Sequence, residues 1–145
     1  MRLFIRLFFR LIRLVLTPFM LLAEWLTTPK AINRSAEQQA QVNQACQQLA
    51  LYQFAACPFC IKVRKEMARL GLTIEKRDAQ HNPLHRKTLH DNGGKIKVPC
   101  LRITSVVTEA QPKGQAAAQQ EQWLYESTAI IHYLQQQFTT EPVSQ

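Results

Sequence analysis

Long apolar runs, a second C-x-x-C pair and an early serine are all missing from this 145-residue chain, and each absence weighs against a class of protein. The longest charge-free stretch near the N-terminus, Leu14 to Ala23, has ten residues and includes Pro18, whereas a spanning helix needs about 20 mostly apolar residues. A simple membrane span is therefore disfavoured. A structural zinc site takes four ligands. With only one C-x-x-C, Cys100 or one of His81, His85, His90 and His132 must complete it at irregular spacing. No metal is predicted. No serine precedes Ser35, and no A-x-A-like cleavage site follows the apolar core, which ends Leu21-Leu22-Ala23-Glu24-Trp25. Both facts count against cleaved targeting peptides.

What remains is a chain with 46% hydrophobic and 19% charged residues, which fits a folded domain rather than disorder. The net charge of +8 is unevenly placed. Residues 1–34 carry +5 and the other 111 residues only +3. The basic excess belongs to the N-terminus, and no nucleic-acid partner is predicted from the remainder.

Residues 1–34 read as an amphipathic, membrane-associating segment. Arg2, Arg6, Arg10 and Arg13 fall within roughly 80° of arc on a helix, Thr17 and Glu24 join the same stripe, and Leu, Phe, Ile and Val fill the rest. We expect this helix, over residues 1–28, to lie in a membrane interface with arginines toward the headgroups. A short-spanning helix with snorkelling arginines is the competing arrangement. Residues 35–48 follow as a helical spacer: Ser35 and Gln38 have the form of a capping box, and the Gln and Ala that follow favour helix.

Downstream, the pattern predicts strand 49–54, a helix from Pro58 to about Leu70, strand 72–78, helix Pro83–Asp91, strand 98–106, a loop from Thr108 to Gln122, a strand at QWLY, and a helix over Ser127–Phe138. Gly71 should stop the first of these helices. In it Ile61, Val63, Met67 and Leu70 are candidate core, while Lys62, Arg64, Lys65 and Arg69 are expected outside. This order defines an α/β fold with a four-stranded mixed sheet flanked by helices. The main domain spans 49–138, and 139–145 form a tail.

The chemistry concentrates in Cys57-Pro58-Phe59-Cys60. Proline is favoured at the first helical position, which makes Cys57 the N-cap, where unpaired backbone N–H groups and the helix dipole favour a thiolate. Cys57 is then the nucleophile. Cys60, one turn further in, is placed to attack a mixed disulfide formed on Cys57. Cys46 and Cys100 are read as passive thiols.

Three separated motifs together resemble a glutaredoxin of the thioredoxin-fold superfamily: C-P-F-C at 57–60, Val98-Pro99 before a strand, and YESTAIIHYL at 125–134. The resemblance covers about Leu49 to Phe138. It implies a cis Val98–Pro99 peptide beside the active pair, with the backbone there holding the cysteinyl part of glutathione. It further implies a γ-glutamyl carboxylate site at Glu126 and Ser127, as in the glutathione-binding domain of glutathione transferases. Glutathione is implied as co-substrate, with no tightly bound cofactor, and disulfide-containing or glutathionylated proteins as partners. A glutathione pool in turn implies the cytoplasmic side of a membrane. One departure stands out: a cation often found just before the first cysteine is replaced by Phe54, leaving Arg64, Lys95 or Lys97 to take its part. A reductase independent of glutathione and a glutathione-ligated iron–sulfur carrier are the alternative functions.

Overall fold

Both faces of strand Leu49–Gln53 (β1) are apolar: Leu49 and Leu51 join one buried cluster, Ala50 and Tyr52 another. Side chains alternate faces along a strand, so such a run demands cover on both sides of its sheet. The computed structural model, which describes residues 2–106 and 119–139, supplies it. β1 lies inside a four-stranded sheet of order β2-β1-β3-β4, with β2 at Glu75–Asp78, β3 at Cys100–Val106 and β4 at Gln119–Tyr125. β1 pairs in parallel with β2 and antiparallel with β3, which pairs antiparallel with β4. This is the mixed four-stranded sheet the pattern predicts.

Helices α3 (Pro58–Arg69) and α5 (Ser127–Phe138) cover one face. Cys60, Val63 and Met67 of α3 and Ser127, Ile130 and Leu134 of α5 are buried at i, i+3, i+7 spacing, the stripe a core-facing helix requires. Leu101 and Ile103 of β3 meet them. The opposite face is closed by Leu89 of α4 (Pro83–Gly93), with Trp123 and Tyr125 of β4 packing beside Tyr52 and Cys100. The spacer helix α2 (Ala36–Cys46) carries the expected capping box, with Ser35 and Gln38 satisfying each other's backbone N–H groups, and inserts Cys46 into the first cluster.

Gly71 ends α3 with φ +63°; its N–H donates to Ala68 O and the Leu72 N–H to Met67 O. These are the two bonds of a Schellman stop. Left-handed backbone costs a residue with a Cβ about 1–2 kcal/mol, so glycine belongs there.

Several boundaries move. The second strand is confined to Glu75–Asp78, and Leu72 and Ile74 are buried ahead of it in irregular backbone. α4 continues to Gly93, and Gly94, at φ +82°, is the cap. β4 begins at Gln119, so Gln119–Gln122 is strand rather than loop, held by pairing with Ile103–Val106. The rest of the predicted loop, and the tail from residue 140, lie outside the described residues. Ile61 is only half-buried.

The N-terminal helix α1 (Arg2–Thr27) runs through Pro18. Among the described residues no helix is long and apolar enough to cross a membrane. Glu24, expected on a headgroup-facing stripe, instead turns inward. Its carboxylate accepts two hydrogen bonds from Arg64 of α3, at 2.6 Å each, and the two side chains are only 16% and 11% exposed. Arg64, predicted outside, is thereby a docking residue. It is further held by Gln53 Oε1 at 2.7 Å and Ala55 O at 2.8 Å. The Lys65 ammonium reaches the Thr27 hydroxyl at 2.6 Å. A guanidinium with three oxygen-bearing partners can leave water because its donors remain satisfied.

Candidate functional site

Register alone brings the three motifs to one end of the sheet. Tyr52 near the end of β1 pairs with Cys100 at the start of β3, and Cys100 pairs with Tyr125 at the end of β4. The chain beyond β1 leads into Cys57, the chain before β3 is Val98-Pro99, and the chain beyond β4 is Glu126-Ser127. Motifs dozens of residues apart therefore share one edge.

Cys57 is the N-cap of α3, with extended φ −82° and ψ 122°, and Pro58 occupies the first turn. Its carbonyl already accepts the Ile61 N–H at 2.9 Å, while no side-chain cap bond is made. The half-buried Cys57 thiol is thus the member of the pair that solvent reaches. Cys60 is fully buried. Burial pushes its thiol up from 9.0 to about 12; a backbone hydrogen bond from Phe54 opposes the rise, and a hydrogen bond with Cys57 adds to it. Cys60 holds its proton while Cys57 faces outward. That asymmetry is what a nucleophile and a resolving thiol need.

The Val98–Pro99 peptide is cis, as the resemblance implies. Pro99 is buried and Val98 packs against the cluster of Tyr52, Leu89 and Cys100. Cys100 next to it is fully buried, and burial pushes its thiol up to about 11 against a hydrogen bond from Tyr125. It stays a neutral thiol.

Glu126 precedes α5 with φ +72°, the one described non-glycine residue at positive φ. A side chain is rarely held there, and where it is, the strain of order 1–3 kcal/mol is offset by its surroundings. Its carboxylate pairs with the Lys97 ammonium, which holds the carboxyl below the usual range. Ser127 is buried at the first turn of α5, where unpaired N–H groups favour an anion.

Of the cations offered in place of the one missing at Phe54, Arg64 is committed to Glu24 and Lys97 to Glu126. Lys95 lies over the Tyr125 ring, 4.8 Å from its centroid. Phe54 itself packs beside Tyr52 and Val98. Among the described residues no three His, Cys, Asp or Glu side chains gather as a metal site. Sequence reasoning missed Glu24 and Lys97 as partners. The signal for Glu24 was that it is the sole acid in residues 1–34.

The sheet, the flanking helices and a Cys-Pro-Phe-Cys turn at a helix start define a thioredoxin-type fold carrying a redox-capable thiol pair. Residues 51–142 match the family described as glutathione S-transferase, N-terminal domain, and the chain belongs to that family. No curated protein and no solved structure matches it.

Proposed function

We propose that the chain is a glutaredoxin-type thiol–disulfide oxidoreductase that works against a membrane surface. The carrying observation is the division of labour at α3: Cys57 half-exposed at the N-cap, Cys60 buried one turn behind it. The Cys57 thiolate attacks one sulfur of a protein disulfide or protein–glutathione mixed disulfide, and the other sulfur leaves as a thiolate. Glutathione, or Cys60 after losing its proton, then attacks the Cys57 sulfur. Two glutathiones reduce a Cys57–Cys60 disulfide and leave as glutathione disulfide. Val98 and Pro99 take the cysteinyl backbone of glutathione, and Glu126 and Ser127 its γ-glutamyl end. Family membership and the anion-favouring start of α5 support that placement.

The membrane part rests on α1. Leu3, Phe4, Leu14, Phe19 and Trp25 are each at least two-thirds exposed, while Glu24 is turned to the domain. An apolar surface of this kind marks a membrane or partner contact. With arginines along it, an anionic bilayer on the cytoplasmic side, where a glutathione pool exists, is the surface it fits.

Glutathione-dependent reduction of a mixed disulfide tests the assignment. Cys57→Ser should fall to background, whereas Cys60→Ser should keep the glutathione route and lose the dithiol one. Full activity in Cys57→Ser would refute it. The apolar Phe54 favours a second reading, a protein-disulfide reductase that ignores glutathione; a rate independent of glutathione at fixed alternative reductant would select it.

A further inference from the structure

A chamber of about 450 Å³ lies between α1 and the turn carrying Cys57. Phe9, Ile12, Leu16 and Met20 of α1 form one wall, and Phe54 and Ala56 face them, with Cys57 in the lining. Arg13, Thr17 and Gln80 are its polar members. The volume falls within the ~300–1,000 Å³ typical of ligand sites, enough for side chains and too small for a folded domain.

We propose that this chamber receives a bulky apolar side chain adjacent to the half-cystine of a protein disulfide, so that α1 selects disulfides in apolar segments. The inference rests on the redox reading of Cys57 given above.

Three observations favour that occupant. The one reactive group in the lining is the Cys57 thiol, whose partner is a disulfide sulfur, so whatever fills the chamber is attached close to one. Glutathione, with two carboxylates and a row of amides, matches poorly a lining with one cation and mostly apolar side chains, where unpaired polar groups are costly to bury. The chamber is also open at its apolar rim, where Phe9 is 64% and Leu16 50% exposed, so an apolar side chain arriving from outside meets apolar surface there. No acid lines the site, so the substrate thiolate expelled by Cys57 meets no repulsion there. In the reaction the Cys57–sulfur bond forms as the substrate disulfide breaks. The first thiolate takes a proton from water, Cys60 displaces the second, and two glutathiones restore the dithiol.

The test uses the full chain on phosphatidylcholine–phosphatidylglycerol vesicles with glutathione and two homodimeric peptide disulfides, one with Phe and Leu flanking cysteine, the other with Ser and Gly. The apolar peptide should be preferred in kcat/KM, and Ile12→Gln or Leu16→Gln should each lower that preference about tenfold, as loss of one buried apolar contact predicts. The shift should appear in KM. Leu14→Gln, away from the chamber, should leave the ratio as it is. Equal use of the two peptides, or a preference untouched by Ile12→Gln and Leu16→Gln, would mean that lipid chains fill the chamber or that it plays no part; either result overturns the inference and leaves the redox reading standing. If neither peptide is reduced, the redox reading falls and the inference with it.

Discussion

Cys57 and Cys60 share one helical turn, yet only the first meets solvent, and the difference has a consequence for pH. In the reduced protein burial holds Cys60 up at about 12 and Cys100 at about 11, both from 9.0. A raised folded value means that the unfolded chain gives up its protons first. The stabilising contribution is then complete below about pH 9 and lost as pH rises toward 12. Thermal melts of the reduced protein should show Tm falling across that window, and Cys60→Ala should flatten the slope; an unchanged slope would contradict the burial argument. That Cys57 sits at the helix start with Cys60 buried one turn further in was legible from Pro58 and the N-cap rule. Cys100 was read as passive from the sequence, but its full burial was not legible, because it depends on Tyr125 and Leu89, which arrive from other elements.

At the scale of elements, α1 and α3 form a unit that no local pattern announces. The Glu24–Arg64 pair lies 40 residues apart in sequence and is largely removed from water. Hydrogen bonds to charged groups contribute about 1.5–3 kcal/mol each, so Glu24→Gln should loosen α1 while leaving the sheet intact. Tryptic cleavage at Lys30, in the connection between α1 and α2, should accelerate about tenfold or more, because cleavage follows the open population. An unaltered cleavage rate would show that the apolar contacts alone hold α1. Most of the other elements were readable: the capping box at Ser35, the stop at Gly71 and the start at Ser127 are local chemistry, settled within a few residues. β4 was under-read because Gln119–Gln122 has a loop-like composition, and only its ladder to β3 makes it strand.

For the whole molecule, α1 gives Phe9, Ile12, Leu16 and Met20 to the Cys57 chamber and leaves Leu3, Phe4, Leu14 and Trp25 exposed. On the proposed reading, one helix serves both the membrane contact and the access to Cys57. Each arginine near an anionic bilayer contributes about 1 kcal/mol. Replacing Arg2, Arg6, Arg10 and Arg13 by Gln should therefore weaken binding to phosphatidylglycerol-containing vesicles about fivefold per residue, and high salt should mimic the loss. Co-sedimentation of wild type and variant measures it, and equal partition at low salt would remove the electrostatic component of the proposal.

The sequence by itself determined the α/β order, the cap chemistry and the identity of the reactive pair, since each depends on the period of side chains or on bonds made within one turn. Tertiary structure alone decided that the three motifs meet, through the Tyr52–Cys100–Tyr125 register. It also decided that Arg64 is spent on Glu24, and that the Phe54 side of the thiol opens into an apolar chamber walled by α1. These contacts join residues far apart in the chain, and a side chain's burial and partners are set by what the fold brings to it.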